Sequence, residues 1–155
     1  DDLLTNVEKG LYMPADSVSY IIIHCTATRE TQDYTPEQLK HDHLQRGFID
    51  VGYHFYIRKD GTVTQHRRLN EVGAHCRPFN RCSIGICYEG GLDAKGKPKD
   101  TRTLKQRASL IGLLLDLHRQ FPKAVIRGHN EMPGASPREC PCYRPSTEYA
   151  YMIKK

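Results

Sequence analysis

Apolar and polar positions alternate along the chain in a way that separates strand-like from helix-like stretches. Residues 18–24 form an apolar run rich in isoleucine between turn residues, which predicts a buried strand. Thr35-Pro36-Glu37-Gln38 reads as a helix start, with Thr35 at the N-cap, Pro36 at the first helical position and Gln38 at the third. That helix is expected to reach about Gln45 and to stop at Gly47. Residues 53–57 alternate as a strand, Asp60-Gly61 signals a hairpin turn, and residues 62–67 form the return strand. Residues 83–88 predict a further strand ending at Gly90-Gly91. Thr103 caps a long helix to about Gln120, and Leu104, Ala108, Ile111, Leu115 and His118 recur at helical spacing as its expected inner face. Residues 124–127 read as a short strand, 130–145 as a proline-rich loop and 146–155 as a last helix. Strands that alternate with helices around one hairpin predict an α/β domain, a mixed central sheet with helices packed on it. Residues 1–17 are expected as a lead-in segment, kinked at Pro14, before a single domain over 18–155.

The chain of 155 residues is long enough for one hydrophobic core, and 38% hydrophobic with 26% charged residues is ordinary for a globular domain. No apolar run approaches the roughly 20 residues of a membrane helix, so no span is expected. The first residues, Asp1-Asp2-Leu3-Leu4, show no basic region of a secretory signal, which leaves localisation open. A net charge of +5 suits an acidic partner such as nucleic acid, anionic lipid or cell wall, and serves solubility equally well. The basic residues are scattered and carry no nucleic-acid-binding signature, so no nucleic acid is expected as partner.

The six cysteines include no C-x-x-C pair and are read separately. Cys25 is expected to face the core as a small hydrophobe. Cys76 and Cys82 lie close enough in one loop for a disulfide, if geometry permits. His24 at the end of one predicted strand, His129 just after another and Cys140 in the proline-rich loop offer two imidazoles and a thiolate. Three such ligands suit zinc and leave a fourth position for water, the mark of a catalytic site. Spacing alone does not decide this, because a histidine at a strand end also serves purely structural roles.

Longer strings add to this reading. Ile21-Ile22-Ile23-His24-Cys25-Thr26-Ala27-Thr28 resembles the first metal-binding strand of the type 2 N-acetylmuramoyl-L-alanine amidases, the superfamily of phage lysozyme-amidases and peptidoglycan recognition proteins. Val51-Gly52-Tyr53-His54-Phe55 with Arg58-Lys59-Asp60-Gly61 resembles its central hairpin. Val72-Gly73-Ala74-His75 and Asn80, then Ser83-Ile84-Gly85-Ile86-Cys87, resemble the next block. Arg127-Gly128-His129-Asn130-Glu131 and Arg138-Glu139-Cys140-Pro141 complete it, so that residues 18–145 are covered in order.

The resemblance implies a mixed sheet of five to six strands and a zinc-dependent enzyme that cuts the amide between N-acetylmuramic acid and L-alanine in peptidoglycan. It implies one Zn2+ per chain, held by His24, His129 and Cys140; Cys142 is a nearby thiol that could compete, and the family string Cys140-Pro141 favours Cys140. Tyr53 matches a tyrosine that assists catalysis. Arg138 stands where phage members carry a lysine; it keeps the charge but cannot lose a proton, so it stabilises an oxyanion or grips a substrate carboxylate. His75 is expected to line the substrate groove. Glu89, two residues beyond the superfamily's catalytic glutamate position at Cys87, is expected to face substrate or to play a structural part. Peptidoglycan or muropeptides are the expected partners of a monomeric enzyme that is periplasmic, extracellular, or phage-encoded and released at lysis. Two alternatives remain: a non-catalytic peptidoglycan receptor on the same fold, and a thiol hydrolase using Cys25 or Cys140.

Overall fold

The computed structural model describes residues 10–135 and 139–153. Its strands are β1 (Tyr20–Cys25), β2 (Thr28–Arg29), β3 (Phe55–Ile57), β4 (Val63–Gln65), β5 (Ser83–Tyr88), β6 (Gly91–Leu92) and β7 (Val125–Gly128). Its α-helices are α1 (Pro36–Gln45), α2 (Leu104–Gln120), α3 (Pro145–Glu148) and α4 (Ala150–Ile153). The central sheet runs β4-β3-β5-β1-β7; β3, β5, β1 and β7 are parallel and β4 closes one edge antiparallel. β2 and β6 form a separate two-stranded parallel piece.

β1 and β5 lie at the centre, which is why they read as unbroken apolar runs: a parallel strand covered on both faces needs no polar side. Ile21, Ile23, Ile84, Ile86 and Tyr88 share one core cluster with Leu110, Leu114 and Leu117 of α2. On the other face Cys87 and Tyr56 pack with Leu39 of α1, and Ile22 packs with Cys76 and Met132. Each buried aliphatic side chain contributes roughly 1.5–3 kcal/mol relative to exposure. Met13 is also in the core, so the described end of the lead-in segment packs against the domain body. Among the described residues no helix is long and apolar enough to cross a membrane.

Local signals set the helix starts. The Thr35 hydroxyl accepts from the Gln38 amide, and Thr103 forms a reciprocal capping box with Gln106. The inner face of α2 differs from the sequence expectation. Leu104, Ile111 and Leu115 are exposed, Leu104 by 85%, while Gln106, Leu110, Leu114 and Leu117 are buried. The helix carries apolar residues around much of its circumference, so two stripes satisfy helical spacing. Gln106 selects between them, because its amide donates to the Ile57 carbonyl at 3.2 Å and the Glu89 carbonyl at 3.0 Å where β3 and β5 end. Tyr53 and His54 precede β3 rather than opening it. The predicted last helix is two short ones, α3 and α4.

Two buried imidazoles tie the layers together in their neutral form. His54 Nδ1 accepts from the Gly85 amide at 3.0 Å, leaving Nε2 to donate to the Glu71 carbonyl at 2.7 Å. His43 Nδ1 accepts from the Gly52 amide at 2.8 Å. Burial pulls both down to about 4 from an ordinary 6.5. Between those values the unfolded chain binds more protons than the folded one, so stability is full above about pH 6.5 and falls as pH drops towards 4. His54 alone accounts for roughly 3 kcal/mol over that window. A series of thermal melts is expected to show Tm falling steeply below pH 6.5 in the native chain and less in His54→Gln; equal slopes would refute the assignment.

Candidate metal centre and active site

Strand register brings the first two candidate ligands together. β1 and β7 are parallel neighbours with Ile23 opposite Gly128, so His24 and His129 follow side by side at the carboxyl end of the sheet. The carboxyl ends of parallel strands are where such sheets present binding groups. Gly128 permits the chain's approach there, since a Cβ would stand 2.4 Å from Asn130 Oδ1 and 2.8 Å from Pro145. Glu131 then fixes the turn by accepting from the Gly128 amide at 2.9 Å and the Ser146 hydroxyl at 2.5 Å.

Cys140 arrives from the proline-rich loop. Its sulfur accepts from the Cys25 amide at 3.1 Å. Tyr88, buried in β5, donates its hydroxyl to the Pro141 carbonyl at 2.6 Å. The Arg102 guanidinium, paired with Asp100 and Glu148, lies 3.3 Å from the centre of the Tyr143 ring. These contacts hold the thiol and the segment that follows it.

The ligand atoms of His24, His129 and Cys140 all lie within 4.8 Å of one another. Tetrahedral zinc with nitrogen and sulfur ligands needs separations of about 3.3–3.6 Å, a small inward adjustment. Two imidazoles and a thiol are a suitable donor set, and the three open onto a cleft of about 530 Å³. Cys142 does not join them; its thiol donates to the Gly91 carbonyl at 3.3 Å. Cys25 faces the core cluster and touches both Cys140 and Cys142; the contact with Cys140 is the main reason its thiol is pushed up to about 12. Cys76 and Cys82 are free thiols.

The other predicted residues divide. Tyr53 lines the cleft, its ring 5.1 Å from that of His24, and packs against the cluster that holds Cys87. Burial holds this phenol well above the usual range, so it is a protonated donor. His75 lines the cleft too, but both ring nitrogens are engaged, Nδ1 with His24 at 2.9 Å and Nε2 with Ser83 at 3.2 Å. Glu89 is not brought to the cleft. It is 1% exposed and accepts from Arg58 Nε, the Lys59 amide and the Tyr34 amide, which binds three loops together. Arg138 lies outside the described residues.

Sequence reasoning missed part of the cleft wall. His43, Arg46 and Phe48, from α1 and the turn after it, line one side, and Arg77 lines another beside the motif residue Asn80. Arg46 stacks over Phe48 with 4.9 Å to the ring centre. No spacing signal marks these residues, because α1 reaches the cleft only through its packing on the sheet.

The N-acetylmuramoyl-L-alanine amidase family model matches residues 14–143. The endolysin of Enterobacteria phage K11 is 40% identical over 135 residues, 87% of each chain. Among solved structures, the N-acetylmuramoyl-L-alanine amidase LysC from Clostridium intestinale URNW superposes with a TM-score of 0.74 at 30% identity, covering 94% of this chain and 93% of that one. Bumblebee PGRP-SA shares the fold, with a TM-score of 0.72 at 22% identity over 90% of this chain and 84% of the other. A match over nearly the whole described domain, with relatives alike in sequence and in fold, makes this chain a member of the N-acetylmuramoyl-L-alanine amidase family.

Proposed function

We propose that the protein is a zinc-dependent lytic amidase that cuts the bond between N-acetylmuramic acid and L-alanine in peptidoglycan or its soluble muropeptides. The observation that carries the zinc reading is the convergence of His24, His129 and Cys140 on one wall of an open cleft. When bound, zinc supplies Lewis acidity, which polarises a carbonyl and lowers the pKa of water. Tyr53 is assigned as donor to the carbonyl oxygen as it gains charge. It packs against the cluster that holds the Cys87 thiol, a weak acceptor that does not compete with an oxyanion for the hydroxyl. Arg138, two residues before Cys140, is assigned a second stabilising positive charge and no proton transfer. Arg46 and Arg77 offer exposed guanidinium groups at the cleft to stem-peptide carboxylates.

The relationship to phage endolysins supports action on the cell wall after release at lysis. Retention of all three candidate ligands favours catalysis over a receptor role. A thiol nucleophile at Cys25 is disfavoured because that side chain packs in the core cluster. Digestion of purified muropeptides, read by mass spectrometry, tests the reading. Free stem peptides are expected, lost with chelator and restored by zinc. Tight binding without release would establish the receptor instead, and cleavage indifferent to chelation would remove the metal.

A further inference from the structure

We propose that His75 and Ser83 form a hydrogen-bond relay that orients His24 towards the metal, which makes both of them positioning residues; the inference rests on the zinc reading above. The relay starts from a group whose role is invariant. The Phe79 carbonyl can only accept, and the Ser83 hydroxyl, 2.7 Å away, donates its single proton to it. The Ser83 oxygen therefore accepts from His75 Nε2 at 3.2 Å. With its proton on Nε2, His75 presents a lone pair at Nδ1, 2.9 Å from His24 Nε2. His24 accordingly donates from Nε2, and its own lone pair sits on Nδ1, the nitrogen that would bind a cation. Each tautomer follows from the one before it.

Metal-binding imidazoles characteristically donate their second N–H to an acceptor that fixes ring and tautomer. Here the acceptor is another imidazole, seated in space that two glycines leave open. A Cβ on Gly85 would stand 2.7 Å from the His75 ring, and one on Gly73 would stand 2.8 Å from it. Asn80 Oδ1 accepts the backbone amides of His75 at 2.9 Å and Cys76 at 2.8 Å, which pins the segment that delivers the ring. The rings of His75 and His24 meet edge to face, 5.0 Å apart and 89° between planes. Ser83 is fully buried on β5, so it acts on the centre only through His75. With both nitrogens spent on the relay, His75 lines the cleft without a ring nitrogen left for substrate.

The test measures zinc affinity by chelator competition on the full chain, together with the absorption spectrum of the cobalt-substituted protein. His75→Leu is expected to weaken zinc binding by about 10–100-fold and to alter the cobalt spectrum. Ser83→Ala is expected to weaken it by about tenfold, at the lower end of that range. His75→Asn, whose amide oxygen can stand in for Nδ1, is expected to recover much of the lost affinity. At saturating zinc the KM for muropeptide stays unchanged in all three. If the native chain binds no zinc, the zinc reading falls and the relay with it. If the native chain binds zinc and both His75→Leu and Ser83→Ala bind it as tightly with unchanged spectra, the relay alone is overturned. A raised KM at unaltered zinc affinity would instead make His75 a substrate contact and overturn the relay. Should His75→Leu fail to fold, Ser83→Ala decides the question.

Discussion

Replacement of Cys140 by serine is expected to remove bound zinc and amidase activity together while the protein stays folded. The sulfur is one of three ligand atoms that converge at the cleft, and a serine hydroxyl does not ionise near neutral pH to take its place. Loss of a residue that merely orients a ligand costs about 10–100-fold in metal affinity, so loss of the ligand itself should exceed about 100-fold. The loop itself should survive, because Tyr88 still donates to the Pro141 carbonyl, Arg102 still covers Tyr143, and a serine oxygen can still accept the Cys25 amide. Metal content after dialysis and muropeptide turnover would be read side by side. Stoichiometric zinc in Cys140→Ser would point to Cys142 as the true ligand and contradict its placement against the Gly91 carbonyl.

The second large effect is expected at Tyr53. Tyr53→Phe removes one hydroxyl and leaves the ring that packs against His24 and His43. If that hydroxyl stabilises charge only as the tetrahedral state forms, kcat should fall by about 10²–10³ with KM nearly unchanged, the usual cost of one oxyanion donor. Zinc affinity should stay at the native level, which separates this variant from Cys140→Ser. The neighbouring Cys87→Ala leaves the hydroxyl in place and is expected to affect turnover far less. A Tyr53→Phe enzyme with native kcat would leave this tyrosine a packing residue.

The proposed relay and the proposed oxyanion donor share one sheet face. Tyr20, Ile22 and His24 alternate on β1, and Ser83, Gly85 and Cys87 alternate on β5 in the same register. Gly85 is the gap in that surface where the His75 ring rests, and Cys87 belongs to the cluster against which Tyr53 packs. One strand therefore supplies the support for a proposed ligand and for the proposed oxyanion donor. This links substitutions in β5 to catalysis although none of its side chains is among the three candidate ligands.

Much of this was legible in the linear chain because the signals are local. Thr35 and Thr103 cap their helices through bonds that span three residues, so sequence alone suffices to place them. The isoleucine-rich run before His24 marks a strand covered on both faces, and the five ordered motifs identify the family and its candidate ligands. What stayed hidden depends on partners far along the chain. The buried face of α2 was decided by carbonyls at the ends of β3 and β5, since apolar spacing fitted two faces equally. Glu89 reads as a group near a catalytic position, yet three donors from distant loops consume its carboxylate. His75 reads as a groove residue, and only the placement of Ser83 and His24 around its ring assigns its protons. His43, Arg46 and Phe48 join the cleft through the docking of α1, which no spacing records. Sequence by itself determined the elements, the family and the candidate ligands, because backbone propensity and motif spacing act over a few residues. Tertiary structure decided which helix face is buried, which polar groups are committed and what lines the cleft, because hydrogen bonds and packing join residues the chain keeps apart.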